Sequence, residues 1–163
     1  MVTVLILAGG KSDRMGQDKA LMGGGVEHLR ALALDAEVER IITLCGDDNR
    51  IPLFEGEVWP DPPQCTSLRE VLEWVFRKIE GAIQLIPCDA FQLQRSGLEF
   101  LLNCDGGVPL DEHGKRQPLL AHCPEGWNLA PSFGDVSSLF SSLQDLDAGV
   151  LTVQMKNFNT PFD

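Results

Sequence analysis

Three glycines, three cations and two carboxylates share the eleven residues Gly9-Gly10-Lys11-Ser12-Asp13-Arg14-Met15-Gly16-Gln17-Asp18-Lys19. None of the charged side chains there helps to fill a core. Glycines without a Cβ let backbone N–H groups approach an anion closely, and Lys11, Arg14 and Lys19 supply positive charge for it. Phosphate is the anion such a loop suits. The motif is neither G-x-x-x-x-G-K-[ST] nor G-x-G-x-x-G. Gly-Gly alone reads as a tight strand-to-helix turn, and the added spacing of Arg14 and Lys19 moves the reading toward a phosphate cradle. Two aspartates further along add to it. Asp89, in Pro87-Cys88-Asp89, suits a Mg²⁺ ion that takes few protein oxygens and completes its shell with phosphate and water. Its plainer reading is a turn or a cap for a helix near Leu93. Asp61, in Pro60-Asp61-Pro62-Pro63, reads alone as a turn aspartate.

These residues need elements to position them. The apolar run Val2–Leu7 ends at Ala8-Gly9, which is the pattern of a strand buried on both faces. Further strands are expected at Arg40–Leu44, Glu57–Trp59, Ala82–Ile86, Pro118–His122 and Gly149–Val153. Leu68, Val71, Leu72, Val75, Phe76 and Ile79 recur on one helical face, which predicts a helix over Ser67–Glu80 with a Ser67/Glu70 capping box. Other helices are expected over Val26–Ala36, Leu93–Leu102 and Val136–Leu146, the last with Val136, Leu139, Phe140 and Leu143 inward. Alternating strands and helices imply a three-layer α/β/α, Rossmann-like domain with a mostly parallel sheet. The 163 residues fit a single domain, 1–163, with no linker or repeat. In such sheets ligands bind beyond the carboxyl ends of the strands. The segments there carry Gly9–Lys19, Gly46-Asp47-Asp48-Asn49, Asp61, Asp89 and Lys156-Asn157-Phe158-Asn159.

The formal charge of −11 argues against a nucleic-acid or anionic-membrane surface and leaves the basic loop as a local concentration of positive charge. Five cysteines in no C-x-x-C arrangement fit neither a zinc site nor a disulfide framework, and read as free thiols in a reducing compartment. His28, His113 and His122 have no metal-ligand spacing and read as structural or exposed. The N-terminal apolar run is far short of the ~20 residues of a membrane span. The chain is expected to be soluble and cytoplasmic.

The stretch "LILAGGKSDRMGQDKAL" resembles the N-terminal motif of molybdenum cofactor guanylyltransferases, LAGG-x-S-x-RMG-x-DK. "PCDAFQL" is similar to that family's P-C-D-x-P-x-L segment, "RQPLLA" to its (Q)PL-x-A strand, and "NFNTPFD" to its N-x-NTP-x-D ending. The resemblance implies that Leu7, Ala8 and Gly9 lie at the guanine nucleotide, with Gly10 leading toward its phosphates. It implies that Arg14, Gly16 and Lys19 contact the triphosphate, that Asp61 contacts the nucleotide, and that Asp89 binds Mg²⁺ and the nucleotide. Asn157 and Asn159 match asparagines on the pterin side of the cleft. A nucleotide-contacting asparagine of the family falls somewhere in Gly46-Asp47-Asp48-Asn49-Arg50. Asp18 is a candidate to orient Lys19 or the metal's water shell, or a surface or capping aspartate. Where the family shows G-P-L-x-G after its aspartate, this chain has Gln64-Cys65-Thr66-Ser67-Leu68.

The implied reaction is transfer of GMP from GTP to molybdopterin, with release of pyrophosphate. Other molybdenum cofactor biosynthesis proteins and recipient molybdoenzymes are the implied partners. A related nucleotidyltransferase using CTP or a sugar phosphate remains open. So does a nucleotide-binding protein without transferase activity.

Overall fold

A computed structural model describes residues 1–9, 21, 25–131 and 135–156. Its centre is a five-stranded sheet in the order β3-β2-β1-β4-β6. The strands are β1 (Val2–Leu7), β2 (Arg40–Gly46), β3 (Glu57–Pro60), β4 (Ala82–Pro87) and β6 (His122–Cys123). All pairings are parallel except β4 with β6. A separate two-stranded parallel pair joins β5 (Val108–Pro109) to β7 (Asp145–Leu146).

Alternation along β1 sorts its side chains between two cores. Val4, Ile6 and Ala8 pack with Val26, Leu29 and Ala33 of helix α1 (Gly25–Asp35) and with Leu98 and Leu101 of α3 (Arg95–Asn103). Leu5 and Leu7 pack on the opposite face with Val71, Leu72 and Val75 of α2 (Leu68–Lys78). The result is the expected three layers, helices on both faces of a sheet whose strands are apolar on both sides.

Helix α2 begins where its sequence asks. The Ser67 hydroxyl accepts from the Glu70 N–H at 3.2 Å. The return half of the expected capping box is displaced by one residue: the Glu70 carboxylate accepts from the Thr66 hydroxyl at 2.8 Å and the Thr66 N–H at 3.4 Å. Helix α3 has no cap of its own, since the Gln94 side chain makes no capping bond. Gln154 supplies it from 57 residues away: its Oε1 accepts from the Gln94 N–H at 2.9 Å and the Gly97 N–H at 3.0 Å. Its Nε2 donates to the Ser96 hydroxyl at 3.0 Å.

Three expected elements differ. Pro118–His122 is a 3₁₀ turn over Pro118–Leu120 followed by β6, because Pro118 has no N–H for a ladder. Val136–Leu146 is not a helix but a 3₁₀ turn, Val136–Phe140, followed by β7. Leu139, Phe140 and Leu143 are buried as expected. However, the Arg116 guanidinium takes the Phe140 carbonyl at 2.9 Å and the Leu143 carbonyl at 3.2 Å. The Phe140 carbonyl, which also accepts from the Leu143 N–H at 3.0 Å, would accept from the Gln144 N–H if the helix continued. Arg116 also pairs with Asp145, at the start of β7. Gly149–Val153 is a 3₁₀ turn running to Gln154 rather than a strand, with Val150 92% exposed where a central strand would bury it.

Candidate functional site

The sheet order places β1 between β2 and β4. The chain winds from β1 outward to β2 and β3, then returns through α2 to β4 on the other side of β1. In an open α/β sheet such a reversal of strand order opens a crevice at the carboxyl ends, the usual seat of a ligand. Leu7 and Pro87 are in register across it. Ala8 and Gly9 leave one strand there, and Cys88 and Asp89 leave the other.

Short backbone bonds hold this edge together. The Cys88 N–H donates to the Leu7 carbonyl at 3.0 Å, and the Ala8 N–H to the Leu44 carbonyl at 2.8 Å. The Asp61 N–H donates to the Gly46 carbonyl at 2.7 Å. Asp61, Gly46, Gly9 and Asp89 therefore stand in a row across β3, β2, β1 and β4. Gly9 and Gly46 touch through their backbones. A Cβ on Gly9 would lie 2.7 Å from the Gly46 Cα, and one on Gly46, whose φ is +82°, would lie 2.7 Å from the Gly9 Cα and carbonyl oxygen. Only glycine fits at either position.

Asp89 is 6% exposed and sits in the turn closed by the Ala90 N–H to Pro87 carbonyl bond at 3.1 Å. The N-terminal turn of α3 beyond it takes its cap from Gln154. Asp61 is exposed, yet partial desolvation and then the Asp47 carboxylate push its pKa up. Asp47 is engaged as the cap of the 3₁₀ turn Asp48–Leu53. Three strand spacings separate the ends of β3 and β4, about 14 Å, so Asp61 and Asp89 belong to different parts of one crevice. Among the described residues no three His, Cys, Asp or Glu side chains gather as metal ligands. A lone buried carboxylate still suits Mg²⁺, which is held by one or two carboxylates plus substrate phosphates.

Neither Cys45 nor His122 is an activated nucleophile. Burial pushes the Cys45 thiol up, outweighing the Arg50 cation beside it. His122, buried in β6 away from the edge, is held neutral by burial, which lowers its pKa. Gln84 Nε2 donates to the Leu85 and Leu120 carbonyls, which leaves Oε1 to accept, so His122 Nδ1 donates to it at 3.0 Å. This histidine is structural, while His28 and His113 are exposed.

Of the residues expected at the site, Leu7, Ala8, Gly9, Asp61 and Asp89 come to this one edge. Gly10, Lys11, Arg14, Gly16, Asp18, Lys19, Asn157 and Asn159 lie outside the described residues. Arg50 belongs to the edge too, though its sequence context singles out no role. Its Nε donates to the Cys45 carbonyl at 2.9 Å and its Nη2 to the Ala8 carbonyl at 3.0 Å. The guanidinium carbon lies 5.8 Å from the centre of the Phe54 ring. The one available signal was a cation a few residues beyond a strand end.

A Rossmann-like sheet with a glycine-lined crevice and a buried aspartate at the reversal of strand order defines a nucleotidyltransferase-type α/β fold. The chain belongs to the MobA-like NTP transferase domain family, whose pattern matches residues 4–145. It is therefore a nucleotidyltransferase-family protein. Solved structures agree on the fold. Molybdopterin-guanine dinucleotide biosynthesis protein A from Archaeoglobus fulgidus superposes with a TM-score of 0.70 at 18% identity, covering 98% of this chain and 93% of that one. A nucleotidyl transferase from Methanothermobacter thermautotrophicus superposes at 0.72 and 16% identity, covering 98% and 92%. The 4-diphosphocytidyl-2C-methyl-D-erythritol synthase of Anaerococcus prevotii superposes at 0.59 and 8% identity, covering 99% and 93%. No curated protein matches the chain. Among the described residues, no helix is long and apolar enough to cross a membrane.

Proposed function

We propose that this protein transfers GMP from GTP to molybdopterin, forming the guanine dinucleotide and releasing pyrophosphate. The observation that carries this reading is the placement of Ala8-Gly9 beside Asp89 at the reversal of strand order, in a chain of this family. A phosphate oxygen of molybdopterin attacks the α-phosphorus of GTP; the bond from that phosphorus to the bridging oxygen breaks, and the electron pair leaves with pyrophosphate. The attacking phosphate is already anionic, so no general base is required. The inventory accords with that demand: glycine amides, Arg14, Lys19 and a buried carboxylate. Catalysis then rests on in-line positioning and on charge neutralisation at the transferred and leaving phosphates.

Leu7, Ala8 and Gly9 border the nucleoside, and Gly10 and Gly16 bring backbone amides to the phosphates. Arg14 and Lys19 neutralise the triphosphate. Asp61 accepts from the nucleotide at the far end of the crevice, and Asn157 and Asn159 face the pterin. Asp89 would hold Mg²⁺, which when bound draws charge from the phosphates. The single domain spanning 1–163 acts in the cytoplasm, with molybdenum cofactor enzymes as its recipients.

Incubation of the pure protein with GTP, Mg²⁺ and molybdopterin tests the reading directly. Guanine dinucleotide with stoichiometric pyrophosphate supports it. A ligand at about 100 times its Kd adds about 2.7 kcal/mol to the native state, so GTP–Mg²⁺ should raise the melting temperature more than CTP or ATP. A larger shift with CTP would redirect the assignment to a cytidylyl transfer. Binding without turnover would mark a nucleotide-binding protein, and no shift with any nucleotide would end the proposal.

A further inference from the structure

Arg50 uses two donors on two carbonyls at neighbouring strand ends, Cys45 near the end of β2 and Ala8 just beyond β1. Each carbonyl belongs to a peptide whose next residue is glycine: Cys45-Gly46 and Ala8-Gly9. In a trans peptide the carbonyl and the following N–H point in opposite directions, and no described peptide is cis. Holding the Ala8 carbonyl against Arg50 therefore aims the Gly9 N–H away from it. Gly46 instead stays in the ladder, in register with Pro60 and with its carbonyl accepting from the Asp61 N–H at 2.7 Å, so its own N–H faces β3. Peptides that precede glycine rotate readily, because the glycine has no Cβ to oppose the turn. Ala8 and Gly9 lie beyond the end of β1, while β2 stays paired with β3 through Gly46.

We propose that Arg50 is a positioning residue, a clamp anchored on the Cys45 carbonyl that fixes the Ala8-Gly9 peptide plane so that the Gly9 amide is presented ready-oriented to the nucleotide. A planar guanidinium with donors in a rigid fork can span both carbonyls, whereas a lysine ammonium offers a point charge. Donors fixed beforehand need no reorganisation when the ligand arrives. The inference rests on the nucleotidyltransferase reading for its ligand but not for its geometry.

The test uses glycine-selective ¹⁵N labelling of the full chain, which carries sixteen glycines. Variants are Arg50→Gln, Arg50→Lys and, as a destabilised control remote from the crevice, Val75→Ala in the core under α2. In Arg50→Gln the Gly9 resonance should shift and broaden through exchange between peptide orientations, while Gly114 and Gly126 stay in place. The Kd for GTP–Mg²⁺ should rise about tenfold, the loss of one well-aligned hydrogen bond. Arg50→Lys should recover part of the affinity, and Val75→Ala should change neither readout. An undisturbed Gly9 signal in Arg50→Gln would overturn the clamp. A disturbed signal with unchanged nucleotide affinity would overturn its role. A wild-type protein that binds no nucleotide overturns the functional reading and the clamp's role, while the spectra still decide the peptide geometry.

Discussion

Replacing Gly46 with alanine should cost more than any other glycine substitution at the crevice, and the cost can be split in advance. The first part is conformational. Gly46 has φ +82°, where a Cβ costs about 1–2 kcal/mol. The second part is contact. The added methyl would lie 2.7 Å from both the Cα and the carbonyl oxygen of Gly9, backbone atoms that cannot swing aside as a side-chain tip would. Overpacking of that kind costs about 1–3 kcal/mol. Two other glycines isolate the parts. Gly126 has φ +84° with nothing within 4 Å of a Cβ, so Gly126→Ala should show the conformational part alone. Gly9 has no positive φ but the same close approach, so Gly9→Ala should show the contact part alone. Urea unfolding gives each loss from the midpoint at unchanged m. Gly46→Ala should lose about 2–5 kcal/mol, close to the sum of the other two and a large share of the ~5–15 kcal/mol typical of a domain. Equal losses for Gly46→Ala and Gly126→Ala would refute the packing argument, and with it the claim that these two loops are held in contact.

The buried aspartate gives the sharpest functional expectation: Asp89→Ala should abolish Mg²⁺-dependent turnover, and wild-type rates in that variant would remove Asp89 from the chemistry. Gln154→Ala should cost about 1–2 kcal/mol by uncapping α3, visible as faster amide exchange at Gln94 and Gly97; unchanged exchange there would refute the cap. Asp61 has a pKa raised by desolvation and by Asp47, so its ionised form burdens the fold once pH rises through that pKa and the burden is absent well below about pH 4. Asp61→Asn should therefore stabilise the protein slightly near pH 7, by at most about 0.5 kcal/mol given the residue's exposure, while weakening nucleotide binding. Thermal melts at pH 7 and pH 3.5 check the sign, and a gain undiminished at pH 3.5 would refute the electrostatic cause.

Patterning along the chain already contains most of the central sheet. The runs in β1, β2 and β4 are apolar on both faces, a signal that admits few readings besides a covered parallel strand. Helix α2 is legible because its apolar stripe and its Ser67 cap are local. Gly9 and Asp89 are legible because a strand ends beside each of them. The second half of the chain is different. Residues 136–146 bury Leu139, Phe140 and Leu143 at helical spacing, yet Arg116 takes the Phe140 and Leu143 carbonyls, and no periodicity in the segment reports a distant guanidinium. Gln154 likewise is only the residue after an expected apolar strand until it is seen capping α3. Arg50 is a cation after a strand until its two carbonyl partners are known. Local hydrophobic period and cap chemistry are properties of neighbouring residues, so the sequence by itself determines them. Which backbone groups a remote side chain satisfies depends on how strands of different sequence distance are ordered in the sheet. That ordering, which sets Gly9 against Gly46 and beside Asp89, is decided only when the tertiary structure forms.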